Sequence, residues 1–203
     1  QMAGYTHAPS TMLVGADMVL PTEKKNQAVS ANLYNESIGL FTNQRLFAGY
    51  AYRFNLWGGR MAIGASAGSL EQKFDGSKVE AEESGDDAFP SSEIDGMGLD
   101  ITAGLHYMHR LFHAGLSVMH VTAPTIDLGE THEIKIDPTF YFSGGCNIQL
   151  KNPLLSIQPS MQVMTDLQAW RADLTVRGTY TYDEKRYYVG LTYSPLTSVA
   201  ILL

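Results

Sequence analysis

Four histidines, His106, His109, His113 and His120, fall within one short stretch, and imidazoles are the commonest metal ligands. A zinc site needs three or four convergent ligands. In an extended strand successive side chains alternate faces, so His106 and His109, an odd number of residues apart, point to opposite sides. A hairpin brings His106 and His113 together at best. The four are therefore read as lumen or interface histidines, and no metal is expected. A second cluster is acidic: Asp75, Glu80, Glu82, Glu83, Asp86, Asp87, Glu93 and Asp95 lie within residues 74–97, and "DLGETHE", Asp127 to Glu133, adds Asp127 and Glu130. Carboxylates in number can take calcium, but the spaced D-x-[DN]-x-[DN]-G loop is absent. The first reading is a solvated surface loop. The second is a partner-docking or weak cation-binding loop built on Asp75, Glu80, Glu82, Glu83, Asp86, Asp87, Asp127 and Glu130. A third constellation, Arg171, Asp173 and Arg177, stands on one strand face, where Asp173 can neighbour both arginines. Nothing assembles a nucleophile with its base: there is no G-x-S-x-G and no glycine-rich phosphate loop opening a helix, and Cys146, the only cysteine, reads as a packing residue within "SGGCNIQL". The expectation is a protein without catalysis, cofactor or metal.

The elements that must position these residues are strands. Period-two alternation recurs almost throughout, and 3.6-residue periodicity is scarce. Strands are expected near 10–19, 27–36, 43–54, 60–73, 98–109, 112–120, 135–149, 154–164, 168–181, 186–194 and 197–203. In "NPLLSIQPSMQVM", Leu155, Ile157, Pro159, Met161 and Val163 alternate with Ser156, Gln158, Ser160 and Gln162. In "WRADLTVRGTY", Trp170, Ala172, Leu174, Val176 and Tyr180 oppose Arg171, Asp173, Thr175, Arg177 and Thr179. Pro159, which has no N–H to give a ladder, implies a bulge or a local gap in pairing.

Composition narrows what the two faces touch. The chain has 203 residues, a net charge of −7, 44% hydrophobic and only 17% charged residues, against roughly 25% charged in soluble domains. No basic cluster recommends nucleic-acid binding. No apolar run has the length of a membrane-spanning helix, which leaves spanning strands of about 10 alternating residues untouched. The links between strands alternate in length. "PTEKKNQ", "NLWGG", the tight Arg110-Leu111 turn, "KN" at 151–152 and "DEKR" at 183–186 are short, whereas 74–97 and 121–134 are long. Such asymmetry, tight turns at one end and long loops at the other, marks outer-membrane barrels. Aromatics gather at the tight-turn end: Tyr52, Phe54, Trp57, Tyr107, Phe112, Tyr180, Tyr182 and Tyr187. The polar faces carry Ser, Thr, Gln, Gly and His rather than the Lys and Glu of a sandwich facing bulk water. The expected fold is all-β, an antiparallel up-and-down transmembrane β-barrel with about 11 strands visible, spanning 1–203 as a single domain truncated at both ends. Ser156, Gln158, Ser160, Gln162, Arg171, Asp173 and Arg177 are expected to line the lumen, and Leu155, Ile157, Met161 and Val163 to face lipid.

Several segments, in order, resemble the PorP/SprF family. "QMAGYTHAPSTMLVGADMVL" is similar to that family's "QWxG…APxT" opening, with Gln1, Gly4, Ala8, Pro9 and Thr11 matching and Met2 in the place of tryptophan. "LFAGYAYRFNLWGGRMAIGASAG", "DDAFPSSEIDGMGLDITAGLHYMHRLFHAGLSVMHV", "FYFSGGCNIQL", "LLSIQPSMQV" and "RYYVGLTYSPLTSVAILL" resemble its later blocks. The resemblance implies a non-enzymatic barrel in the outer membrane of Bacteroidota, part of the type IX secretion and gliding apparatus. It implies support for export or surface anchoring of adhesins and other cargo with type-B C-terminal sorting domains. Its implied partners are outer-membrane lipid and system components, among them an OmpA-like peptidoglycan-binding lipoprotein. Two other accounts fit the bare alternation: a FadL-like solute transport barrel and a soluble β-sandwich that binds ligands.

Overall fold

The computed structural model describes residues 8–24, 26–76, 93–128, 132–183, 185–195 and 197–202. Of the described residues 78% lie in strands, and none of them forms an α-helix. The strands are β1 (Ser10–Val19), β2 (Gln27–Ile38), β3 (Phe41–Leu56), β4 (Gly59–Asp75), β5 (Glu93–Met108), β6 (Phe112–Met119), β7 (Thr125–Leu128), β8 (His132–Lys135), β9 (Thr139–Cys146), β10 (Ile148–Gln149), β11 (Leu155–Thr165), β12 (Trp170–Tyr182), β13 (Lys185–Ser194) and β14 (Ser198–Leu202). Their hydrogen-bonded order is β1-β2-β3-β4-β5-β6-β9-β11-β12-β13-β14, with β10 added to β11, and β7 and β8 form a separate two-stranded sheet. The eleven expected strands correspond to the eleven on that path, in the meander order that alternation and short links require.

The turns follow local chemistry. Trp57 and Gly58 both have positive φ, 47° and 74°, the twist that a two-residue hairpin needs. Tyr107 Oη donates to the Trp57 carbonyl at 3.1 Å, tying that hairpin to β5. Between β11 and β12, Asp166 Oδ1 accepts the N–H groups of Gln168 and Ala169 at 3.0 and 2.7 Å, an Asx-type turn.

Three expectations change. β5 begins at Glu93, so Glu93 and Asp95 belong to a strand rather than to a loop. The supposed loop 121–134 contains the β7–β8 hairpin, with Ile126 opposite Ile134 and Asp127 opposite Glu133. The single strand expected at 135–149 is instead the end of β8, then β9, then the short β10. Pro138, unable to donate, lies between β8 and β9.

The chain divides into two compact units. The first comprises Gln1–Ala51, Ala65–Thr102 and His120–Asp137. Its small core is Ile126 and Leu70, both buried, with Ile94, Ile134 and Ile136 packed around them. The β7–β8 hairpin thus supplies two of the apolar side chains of this cluster, Ile126 and Ile134. The second unit comprises Tyr52–Gly64, Ala103–Met119 and Pro138–Leu203. None of its large apolar side chains belongs to a buried core among the described residues.

Within the second unit Pro159 does what its chemistry requires. It stands opposite Val176 in an unbroken register with β12. On the other side β9 pairs from Gly145, opposite Ser160, and β10 pairs from Ile148, opposite Ile157. The positions between them, Pro159 and Gln158, are the gap. The Pro159 carbonyl faces β9, 3.0 Å from where a Cβ on Gly145 would stand, so its missing N–H also falls on that side. The Asn147 N–H turns away to the Leu111 carbonyl at 2.7 Å. One proline therefore separates β9 from β10.

Candidate functional site

The register of the second unit sorts side chains into two faces. One cross-strand row reads His106, Gly115, Ser143, Gln162, Asp173. The next reads Met108, His113, Gly145, Ser160, Thr175, Thr192, Ala200. The opposite face carries the row Leu105, Leu116, Phe142, Val163, Ala172. On that face Leu105, Leu116 and Phe142 are 43%, 48% and 44% exposed. Val176, Leu191 and Ile201 form another exposed apolar row on it. A monomer in water rarely leaves so continuous an apolar surface uncovered.

All seven residues expected on the polar side, Ser156, Gln158, Ser160, Gln162, Arg171, Asp173 and Arg177, share the polar face by register. Their pairing follows the expected ladder only in part. Arg171 Nε donates to Asp173 Oδ1 at 3.3 Å, and the Ser194 hydroxyl donates to the same oxygen. Arg177 does not join them: it is directly opposite Gln158 and gives Nε and Nη2 hydrogen bonds to Gln158 Oε1 at 2.9 and 2.6 Å. Cross-strand register outweighed spacing along one strand. Thr175 and Thr192 share a hydroxyl hydrogen bond of 2.8 Å.

The histidines separate as alternation demands. The His106 and His113 rings lie 5.9 Å apart, whereas the His109 ring packs at 5.2 Å on Phe112 in the turn. Two glycines make room for the pair. A Cβ on Gly115 would stand 3.1 Å from His106 Cδ2, and one on Gly145 would stand 2.6 Å from His113 Cε1. Both imidazoles lie across the neighbouring strand where only glycine leaves space. Among the described residues no group of three or more His, Cys, Asp or Glu is placed to hold a metal ion.

Beside this row a hollow of about 500 Å³ is lined by His109, Arg110, His113, Gln158, Thr175 and Arg177, among others. A second, of about 600 Å³, shares His109 and Arg110 and adds Arg60. Aromatics cluster in the same unit. Tyr107 and Phe112 are 5.7 Å apart, Tyr180 stacks with Tyr182 at 6.4 Å and meets Tyr187 at 6.5 Å, and Tyr52 stacks with Phe54 at 6.2 Å. Trp57, at the turn, is 85% exposed. In the β11–β12 turn, the Ala169 and Gln168 N–H groups hold the Asp166 carboxyl below its ordinary range.

Of the acidic candidates, Asp75 closes β4, its N–H bonded to the Leu40 carbonyl at 3.0 Å, and Asp127 lies in β7. Glu80, Glu82, Glu83, Asp86, Asp87 and Glu130 lie outside the described residues. The first unit also holds a pair the sequence did not single out. The fully buried Asp100 Oδ2 is 2.7 Å from His120 Nδ1, and Thr122 Oγ1 donates to the Leu99 carbonyl at 2.9 Å. His120 has φ of 57°, a left-handed conformation to which histidine is among the better suited side chains. The pair spans twenty residues, so only the β5–β6 register brings it together.

No described helix is long and apolar enough to cross a membrane, which leaves crossing by strands open. The family model described as type IX secretion system membrane protein PorP/SprF matches residues 1–203, the whole chain. No curated protein matches it.

Proposed function

The chain belongs to the PorP/SprF family of type IX secretion system membrane proteins, and from that premise we propose that it is a non-enzymatic β-barrel of the outer membrane that supports export or surface anchoring of sorting-domain cargo such as adhesins. The observation that carries the reading is the pair of faces in the second unit. An exposed row of Leu105, Leu116 and Phe142 backs a row of His106, Ser143 and Gln162. Lipid is the medium that stabilises such an apolar row without a second layer, and a wet lumen suits its polar reverse. A soluble sandwich would cover the apolar row with another sheet. Closure of the meander into a barrel would pair the remaining edges. Tyr107, Phe112, Tyr180, Tyr182 and Tyr187 then form an interfacial belt, as rings with one apolar and one wet side prefer.

The partners in this reading are outer-membrane lipid, other components of the secretion system including an OmpA-like peptidoglycan-binding lipoprotein, and cargo with type-B C-terminal domains. The test is a deletion strain complemented with the full-length gene. Cargo is expected to vanish from the surface and medium on deletion and to return on complementation, with the protein in the outer-membrane fraction. Unimpaired cargo export in the deletion strain would sink the proposal.

A further inference from the structure

We propose that the hollow beside the β5–β6 turn binds a small oxyanion, a carboxylate or a phosphate. Its lining includes Arg110, Arg177, His109 and His113, and it includes no Asp or Glu. The volume, about 500 Å³, lies within the range of small-ligand sites. Charge in this unit is one-sided: residues 52–64, 103–119 and 138–203 carry eight Lys and Arg against four Asp and Glu, although the chain as a whole is at −7.

The two arginines of β12 show what is special about the hollow. Arg171 has a carboxylate, Asp173. Arg177 has only the neutral Gln158 amide, which takes two of its N–H groups through one oxygen and so fixes the plane of the guanidinium. Among the described residues neither Arg177 nor Arg110 makes an ion pair. A guanidinium held in plane with N–H donors to spare is prepared for the fork-shaped hydrogen bonding that carboxylates and phosphates accept. Ser160 and Thr175, one residue beyond on the same face, add hydroxyls to the lining. His113 is kept over the hollow's edge by the bare Gly145. This site does not rest on the secretion role. It requires only that the polar face be wet.

The experiment is isothermal titration of the full-length protein in non-ionic detergent with inorganic phosphate and with citrate, at an ionic strength fixed by chloride. One saturable site per chain is expected for at least one anion, and the tighter of the two assigns the class. Arg177→Gln and Arg110→Gln are each expected to weaken it at least about ten-fold, the effect of losing one charge-assisted contact. Lys185→Gln and Arg186→Gln, basic changes at the β12–β13 turn and outside the hollow, should leave affinity unchanged. Absence of saturable heat with both anions overturns the proposal, as does equal weakening by Lys185→Gln, which would mean diffuse charge alone. If Arg177→Gln fails to fold, Arg110→Gln, in the turn and outside the ladder, decides by itself: unchanged affinity there overturns the site.

Discussion

Asp100 and His120 meet at 2.7 Å, carboxylate to imidazole, with Asp100 wholly enclosed. The contact joins β5 to the residue that follows β6, where the chain turns towards the β7–β8 hairpin. Val121 N–H to the Ile101 carbonyl at 3.0 Å and Thr122 Oγ1 to the Leu99 carbonyl at 2.9 Å complete the clasp. Removing one partner leaves a buried charge or polar group unmatched. His120→Ala, which leaves the enclosed Asp100 carboxyl without its imidazole partner, is expected to cost about 1–3 kcal/mol. Asp100→Asn, which keeps a hydrogen-bonding oxygen in place, should cost less, about 1–2 kcal/mol. Urea unfolding in detergent, followed by intrinsic fluorescence, compares the two. Equal, negligible losses would show that the clasp does not stabilise the fold.

The hairpin that the clasp leads into contributes the central side chain of the small core. Ile126 is fully buried against Leu70 and is ringed by Ile94, Ile134 and Ile136. Ile126→Ala should destabilise by about 2–5 kcal/mol through lost burial and a residual cavity. Ile126→Val should cost only about 0.5–1.5 kcal/mol. Chemical denaturation midpoints for the pair give the ratio directly. If both substitutions behave alike, Ile126 does not occupy a tight core.

This hairpin also marks where sequence reading stopped. Long strands such as β11 and β12 announce themselves because Leu155 to Thr165 and Trp170 to Tyr182 alternate for many residues. β7 and β8 have four residues each, too few for a period to emerge, and their acidic Asp127 and Glu133 read as solvated loop. Pro159 was legible because a missing donor has the same consequence in any sheet; which neighbour would lose its partner was not, since that depends on which way its backbone points. The polar face could be read residue by residue, and with it the Arg171–Asp173 pair, but not the cross-strand partner of Arg177. Arg177 went to Gln158 rather than Asp173 because directly opposite residues stand closer than residues four apart on one strand. The pairing of Asp100 with His120 was invisible for the same reason, as their contact exists only once β5 and β6 are in register.

Asp166 supplies a prediction about acid. Its carboxyl, drawn below the ordinary value of 3.8 by the Ala169 and Gln168 N–H groups, is favoured as the anion in the folded turn. A folded value lower than the unfolded one adds stability above the unfolded value, and that stability is lost as pH falls through the folded value. Wild type should therefore exceed Asp166→Ala in stability at neutral pH, with the gap closing below about pH 3.8. Thermal unfolding of both proteins from pH 7 downwards measures it. A gap that stays constant into strong acid would mean that the anion is not what the turn recognises.

The membrane reading makes its sharpest demand on two residues of adjoining strands. Phe142 lies on the apolar face, 44% exposed, in the row with Leu116 and Val163. Gln162 lies on the polar face, opposite Ser143 and beside Phe142's own partner, Val163. An arginine on a lipid-facing strand costs about 2–4 kcal/mol near the middle of the bilayer, whereas one in a wet lumen meets water. Phe142→Arg should therefore lower the yield of folded, membrane-inserted protein and destabilise what inserts by about that amount. Gln162→Arg should fold and insert like wild type, because a guanidinium there has water and Asp173 opposite. Heat-modifiable migration after outer-membrane extraction reads insertion, and urea unfolding in lipid vesicles reads stability. The two substitutions add the same side chain to neighbouring strands, so propensity and size nearly cancel and the medium on each face is what remains. If Gln162→Arg proved the more damaging, the faces would have to be exchanged: the row of His106, Ser143 and Gln162 would lie against something dry, and the row of Leu116 and Phe142 would need another cover.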